Sequence, residues 1–280
     1  MTDFYKIQGK GKRLAFIKAT HYLIAINVIS FFLTLIINYF YPDLTSYLAL
    51  TPSLILQGKH LWTLITSIFV HASFAHLFFN MVSLFFLGTI VEKIIGKKRF
   101  VTFYLISGIL AGLFFVLLAG FFGTGIGAKI FGGATSSGVG ASGAIFALVG
   151  ILTILIPNKK VYLIAGPLLA IILQSVLGFF ITNNALLNVF DIFVSIYIIF
   201  SMFSLISFNP RIQKFTFPVE LSFWIVPIIS IIPLIIVGLF VPLPIGNMAH
   251  LGGFITGLIY GVYLKIKYKN KSKRLKEYFK

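Results

Sequence analysis

The sequence has no cysteine, which excludes disulfides, a thiolate nucleophile and any thiolate metal site. Acidic residues are nearly as scarce, with 6 Asp and Glu against 23 Lys and Arg in 280 residues. Hydrolysis by paired carboxylates inside an apolar region needs two acids there, and Asp191 is the one candidate. The string His-Glu-x-x-His, which sets two imidazoles and a general base on one helix face around zinc, is absent. His71, His76 and His250 have no carboxylate or thiolate to complete a ligand set, so neither a metal nor another cofactor is expected. Charged residues make up 10% of the chain against 59% hydrophobic ones, and the mean hydropathy of +1.02 excludes an ordinary soluble domain.

Long hydrophobic runs dominate what is there. They predict an all-α polytopic membrane protein of about eight spans, at 19–40, 72–95, 99–122, 142–156, 160–181, 186–207, 222–241 and 248–267. The first run begins near Ala19 and is long enough to span, so it is expected to be a membrane helix rather than a cleaved leader. Residues 1–18 are expected to form a basic cytoplasmic arm, and 268–280 a basic cytoplasmic tail.

The net charge of +17 would suit nucleic acid, but its distribution argues otherwise. With the amino terminus inside, the cytoplasmic segments hold 21 of the 23 basic residues and the external loops hold only Lys59 and Lys129. The excess orients the chain in the bilayer and contacts anionic headgroups; no nucleic-acid partner is expected. Both termini then lie in the cytoplasm of a cell-membrane protein. Trp62, in the apolar external loop 41–71, is expected to be an interfacial anchor, and Glu92 to pair with basic neighbours at the inner end. Gly108 and Gly112 are expected to permit close helix contact. Asp191 falls near the outer headgroups, twenty residues before Arg211.

The stretch from Gly138 to Gly150 is the feature to explain. The apolar run Ala144–Ile156, 13 residues before Pro157, rises only about 20 Å and cannot cross a hydrocarbon core of about 30 Å. Ser142 is therefore expected on the first turn of a short helix, about 25 Å above Lys159, next to irregular backbone that must line a cavity or pack in protein. His76 and Asn80 share one helix face, and His250 stands 15 residues before Lys265, so all three reach the level of Ser142. Gly253, Gly257 and Gly261 follow His250 on one face, and Gly143, Ala147 and Gly150 form a matching face after Ser142. Two such stripes let the fourth and eighth spans meet with Ser142 and His250 opposed.

A serine with a histidine in reach is the minimal apparatus for nucleophilic acyl transfer. Backbone N–H groups at the start of the short helix, with His76 and Asn80, could serve a developing oxyanion. No carboxylate lies at that depth, so a dyad is expected rather than a triad. Activity should fall as pH drops through about 6.5, or a shifted value, because His250 must be neutral to act as base.

In these residues the chain resembles the rhomboid intramembrane serine proteases. The resemblance runs through Leu61-Trp62, His71, His76-x-x-x-Asn80, Glu92-Lys93, Gly140-Ala141-Ser142-Gly143 and Ala249-His250-x-x-Gly253-x-x-x-Gly257. It implies Ser142 as nucleophile, His250 as base, and His76, Asn80 and the Ser142 amide as oxyanion hole. Single-span membrane proteins, cut near the outer face, are the implied substrates. A catalytically silent relative that binds or remodels membrane helices is the alternative.

Three departures stand out. Thr63 follows Trp62 where many relatives carry Arg. Phe146 replaces a frequent Tyr, keeping a ring that can stack on His250. Ser142 and His250 are 108 residues apart, about twice the usual spacing. A six-helix rhomboid-like core within 19–267, with a helix pair inserted at 160–207, is the simplest account.

Overall fold

The computed structural model describes residues 18–41, 43–181, 184–207, 209–240 and 246–278. The expected amino-terminal arm, but for Lys18, and the end of the basic tail lie outside the described residues. The helices that build the molecule are α1 (Ala19–Phe40), α2 (Phe74–Ile95), α3 (Lys97–Phe122), α4 (Ser142–Leu155), α5 (Gly166–Phe180), α6 (Asn184–Ser207), α7 (Val226–Phe240), α8 (Asn247–Lys267) and α9 (Lys269–Tyr278). Five of them, α1, α2, α3, α6 and α8, are long and apolar enough to cross a membrane, while α4, α5 and α7 are shorter apolar helices.

Two elements depart from the expected run of helices. The spans read at 160–181 and 222–241 are not helical from the start. Strands β1 (Lys160–Ile164) and β2 (Pro218–Ser222) pair antiparallel, from Lys160 opposite Ser222 to Ile164 opposite Pro218. The apolar strand Val161–Ile164 merges in hydropathy with the helix that follows it, which hid the boundary. Across this ladder the Tyr162 hydroxyl donates to Glu220 Oε2 at 3.1 Å, and that carboxylate pushes the phenol's pKa up. The helix pair α5–α6 hangs between the two strands, joined by Gln174 Nε2 donating to Asp191 Oδ1 at 2.9 Å. Asp191 thus serves as a cross-helix acceptor.

Glu92 is also placed differently from expectation. It is buried at the end of α2 and accepts from the backbone N–H groups of Ala19 (2.8 Å) and Thr20 (2.9 Å) and from the Thr20 hydroxyl (2.7 Å). An anion there satisfies orphan donors and the positive end of the α1 dipole, which no basic side chain could do.

The center of the bundle is α4, buried along almost its whole length and packed against α3 and α8. A Cβ on Gly253 or Gly257 would run into the carbonyl oxygens of Gly143 and Ala147, and one on Gly150 into that of Phe254. The expected small-residue contact between α4 and α8 is therefore backbone against backbone. The glycines of α3 act otherwise. Gly108 and Gly112 make room chiefly for Ile68 and Leu50 of the loop before α2, rather than for a helix. That loop folds into short helices at Leu44–Leu48, Pro52–Leu56 and Thr63–Thr66. Leu50 and Gly138 exchange both backbone hydrogen bonds, at 2.9 and 2.8 Å, so the loop is fastened to the glycine-rich segment ahead of α4. With Thr63 in place of Arg, neutral bonds hold the loop: Thr63 Oγ1 to the His60 carbonyl, Trp62 Nε1 to that of Tyr47, and Thr66 Oγ1 to that of Leu48.

Candidate active site

Ser142 is the first residue of α4, and His250 lies in the first turn of α8. The glycine contacts between these helices bring the two side chains together: His250 Nε2 is 2.8 Å from Ser142 Oγ. In the tautomer that leaves Nε2 unprotonated, the hydroxyl donates to it and Nδ1 carries the ring proton. Among the described residues Nδ1 is buried with no hydrogen-bond partner, so none of their side chains orients the ring from behind. Stacking does instead. The Phe146 ring lies 4.4 Å from the imidazole, centroid to centroid, at an interplanar angle of 16°. Phe146 is one turn beyond Ser142, so a single helix supplies both the hydroxyl and the surface that sets the imidazole plane.

The backbone that delivers Ser142 is fixed at Gly140. Its φ of +120° is a conformation only glycine adopts readily, and its N–H donates to the Ser67 carbonyl at 2.8 Å. A Cβ on Gly140 would sit 2.8 Å from both Cε1 and Nε2 of His76, and 3.7 Å from Asn80 Nδ2. The missing side chain thus leaves room for both candidate oxyanion donors beside the Ser142 turn. Ser73 caps α2 by accepting from the His76 N–H at 3.1 Å, which starts the helix just where His76 is needed. Asn80 is buried one turn further, and its amide donates to the His76 carbonyl at 3.0 Å, leaving one N–H for other use. His71 is buried with its ring edge-to-face to His76, 5.1 Å between centroids, and its Nε2 lies 3.5 Å from the Ala141 N–H.

The candidates Ser142, His250, His76, Asn80, His71, Gly140 and Phe146 thus fall together where α2, α4 and α8 begin. Gly143 and Gly253 lie in the α4–α8 contact beside the pair, and Gly257 lies one turn below. Ser67 and Ser73 were not singled out. The capping pattern Ser-x-x-His ahead of an apolar run could have marked Ser73; nothing local marks Ser67, which acts through its carbonyl. Among the described residues no group of three His, Cys, Asp or Glu side chains could hold a metal ion. The arrangement is a hydroxyl within hydrogen-bond distance of an imidazole, with N–H donors nearby.

A family model described as Rhomboid domain matches residues 58–197 and 194–267. The chain is 34% identical over 171 residues to "Rhomboid protease GluP" of Bacillus subtilis, which covers 59% of this chain and 30% of that protein. It is 36% identical over 115 residues to "RHOMBOID-like protein 1" of Arabidopsis thaliana, covering 41% and 26%. It is 38% identical over 61 residues to "Inactive RHOMBOID-like protein 8" of the same plant, covering 22% and 17%. The chain thus spans less than a third of the length of each of these curated relatives.

Proposed function

The chain belongs to the rhomboid family and is an integral, multi-pass membrane protein, and from that premise we propose that it is an intramembrane serine endopeptidase working through a Ser142–His250 dyad. The observation that carries the reading is the 2.8 Å approach of His250 Nε2 to Ser142 Oγ across 108 residues of chain. His250 takes the hydroxyl proton as Oγ attacks the scissile carbonyl carbon. The carbonyl π pair moves onto oxygen, where the Ser142 amide, His76 and Asn80 donate to the oxyanion. Collapse re-forms the carbonyl and breaks the C–N bond, and His250 returns the proton to the departing amine. Water then attacks the acyl-serine carbonyl carbon while giving its proton to His250; collapse breaks the ester C–O bond, His250 returns the proton to Ser142 Oγ, and the second fragment leaves as an acid.

The substrate class follows from depth. A bond reaching Ser142 must enter from within the bilayer, which suits a single-span protein whose helix unwinds near the far leaflet. With the Lys- and Arg-rich segments of the sequence facing the cytoplasm, both termini are cytoplasmic and cleavage falls toward the outer face. The core is the six helices α1–α4, α7 and α8 within 19–267, and α5–α6 is an insertion.

Cleavage of a single-span reporter by the intact chain, lost in Ser142→Ala and His250→Ala, is the expected result. Cleavage that survives Ser142→Ala overturns the assignment. One relative is named inactive, so a silent helix-binding protein is the second reading; failure of a fluorophosphonate to label Ser142 in the folded, membrane-embedded chain would favor it.

A further inference from the structure

At the end of α8 remote from His250 the chain turns sharply. Tyr268 leaves helical geometry at φ −122° and ψ 46°, and its carbonyl accepts from the N–H groups of Lys271 and Ser272, each at 3.0 Å, where α9 starts. This elbow gathers cations from three helices around one phenol ring. Lys267 Nζ of α8 lies 5.9 Å from the Tyr268 ring centroid, Lys271 Nζ of α9 lies 5.7 Å from it, and Arg99 Cζ of α3 lies 5.9 Å from it. Lys267 also donates to the Tyr263 hydroxyl at 2.6 Å. The ring attracts each cation, yet cations gathered this closely repel one another. Little acid offsets them. Residues 265–280 hold eight basic side chains and one acid, Glu277, which is exposed, and Glu92 at this end of α2 already gives its carboxylate to α1.

We propose that the elbow is a binding site for the phosphate of an anionic phospholipid, held by Arg99, Lys267 and Lys271. The guanidinium grips two phosphate oxygens at once, and the two ammonium groups add point charge. One anion held by all three ties α3, α8 and α9 together, which is more specific than the diffuse attraction of basic loops to a charged leaflet. The inference involves neither Ser142 nor His250 and stands apart from the hydrolase reading.

Two further observations favor a lipid over a free anion of the same chemistry. The first is level. Lys267 closes a helix long enough to span and Arg99 lies in the first turn of another, so the cluster sits where headgroup phosphates lie. An aromatic ladder rises from it into the bundle: Tyr263 stacks on Tyr260 (5.8 Å between centroids, 23°), and Tyr260 on Phe103 (4.8 Å, 17°). Tyrosines so placed are the mark of a membrane–water interface. The second is the lie of α9. Its Leu275 and the elbow residue Tyr268 share a cleft with Ile94, Ile95, Leu155 and Leu264, at the ends of α2, α4 and α8, while Lys269, Lys273 and Arg274 are exposed. The helix thus lies across the end of the bundle, apolar side on protein and basic side outward, in the manner of an interfacial helix.

The test follows the Tm of the intact chain, purified in an uncharged detergent. It would be titrated with dioleoyl phosphatidylglycerol, with dioleoyl phosphatidylcholine and with inorganic phosphate. A ligand that binds only the folded protein raises Tm as it fills its site. A rise at severalfold lower concentration of phosphatidylglycerol than of phosphatidylcholine is expected, with no comparable rise in phosphate. Equal responses to the two lipids overturn the proposal, and a response to phosphate equal to that to phosphatidylglycerol overturns the lipid as ligand.

Two double variants that remove the same charge then locate the site. Arg99→Gln with Lys271→Gln should abolish the preference for phosphatidylglycerol. Lys269→Gln with Lys273→Gln, on the exposed side of α9, should keep it. Equal loss in both variants shows a diffuse field and overturns the proposal. If the first variant does not fold, phosphatidylglycerol with a photoreactive headgroup decides on the intact chain. Adducts concentrated in 97–104 and 263–272 are expected, and adducts spread evenly over the basic segments overturn the proposal.

Discussion

Gly253 rests directly on the carbonyl oxygen of Gly143, so α8 meets α4 there with no side chain between them. Gly253 follows His250 by three residues and Gly143 follows Ser142 by one, so this contact sets the spacing of the candidate dyad. Gly253→Ala puts a methyl group against backbone that cannot rotate away, and the helices must part. We expect a loss of about 1–3 kcal/mol in stability and a larger loss of activity than of folded protein. Gly178→Ala, whose new methyl meets open space, is the control. Thermal unfolding in detergent and reporter cleavage, compared between the two variants, check this. A Gly253→Ala protein as stable and active as Gly178→Ala would refute the packing account.

A second expectation concerns Gly140. Alanine there is strained by the φ of +120° and drives its methyl into the His76 ring. If His76 donates to the oxyanion, turnover should fall by about 10²–10³, the range seen for loss of one such donor. Fluorophosphonate labeling under the same conditions should slow as well, since it passes through a similar charge. Unchanged turnover in a folded Gly140→Ala protein would remove His76 from the hole.

Glu92 offers a test away from the chemistry. Its carboxylate accepts three hydrogen bonds from the first residues of α1. Glu92→Gln keeps the shape but removes the charge and one acceptor, while Glu92→Ala leaves buried N–H groups unpaired. The expected order of destabilization is Ala greater than Gln, with about 1–3 kcal/mol for the alanine variant. Denaturant titration of the purified protein checks the order, and equal stability of the three proteins would mean that the cap contributes nothing.

The candidate site was legible in the sequence for a physical reason. Helices rise at a fixed increment, so counting from Lys93, Lys159 and Lys265 puts Asn80, Ser142 and His250 at one height. The small-residue stripes then supply the missing rotation, because only those faces of α4 and α8 can touch closely. The β1–β2 ladder was not legible. Four apolar residues, Val161–Ile164, beside a helix average into one hydrophobic window, and their partners lie some sixty residues away. Glu92 misled in a similar manner: its sequence neighbor is Lys93, but its bonding partners are backbone groups of α1, 72 and 73 residues earlier. Gly108 and Gly112 did mark a close approach, yet glycine spacing does not reveal whether a helix or a loop side chain fills the gap.

The final expectation concerns acid. His250 Nε2 can accept the Ser142 proton only while unprotonated, and among the described residues its other nitrogen has no carboxylate behind it to stabilize an imidazolium. Protonation therefore removes the base, and the rate should fall on acidification and reach a plateau once the ring is neutral. A carboxylate base would lose activity in the same direction but further into acid, so the position of the fall discriminates. The folded state must be followed in parallel, because a drop that tracks unfolding says nothing of the base. Initial rates on one reporter between mildly alkaline and mildly acidic buffer, paired with tryptophan fluorescence from Trp62 and Trp224, give both readings. A flat rate across that range in a folded protein would rule out imidazole as the group that takes the proton.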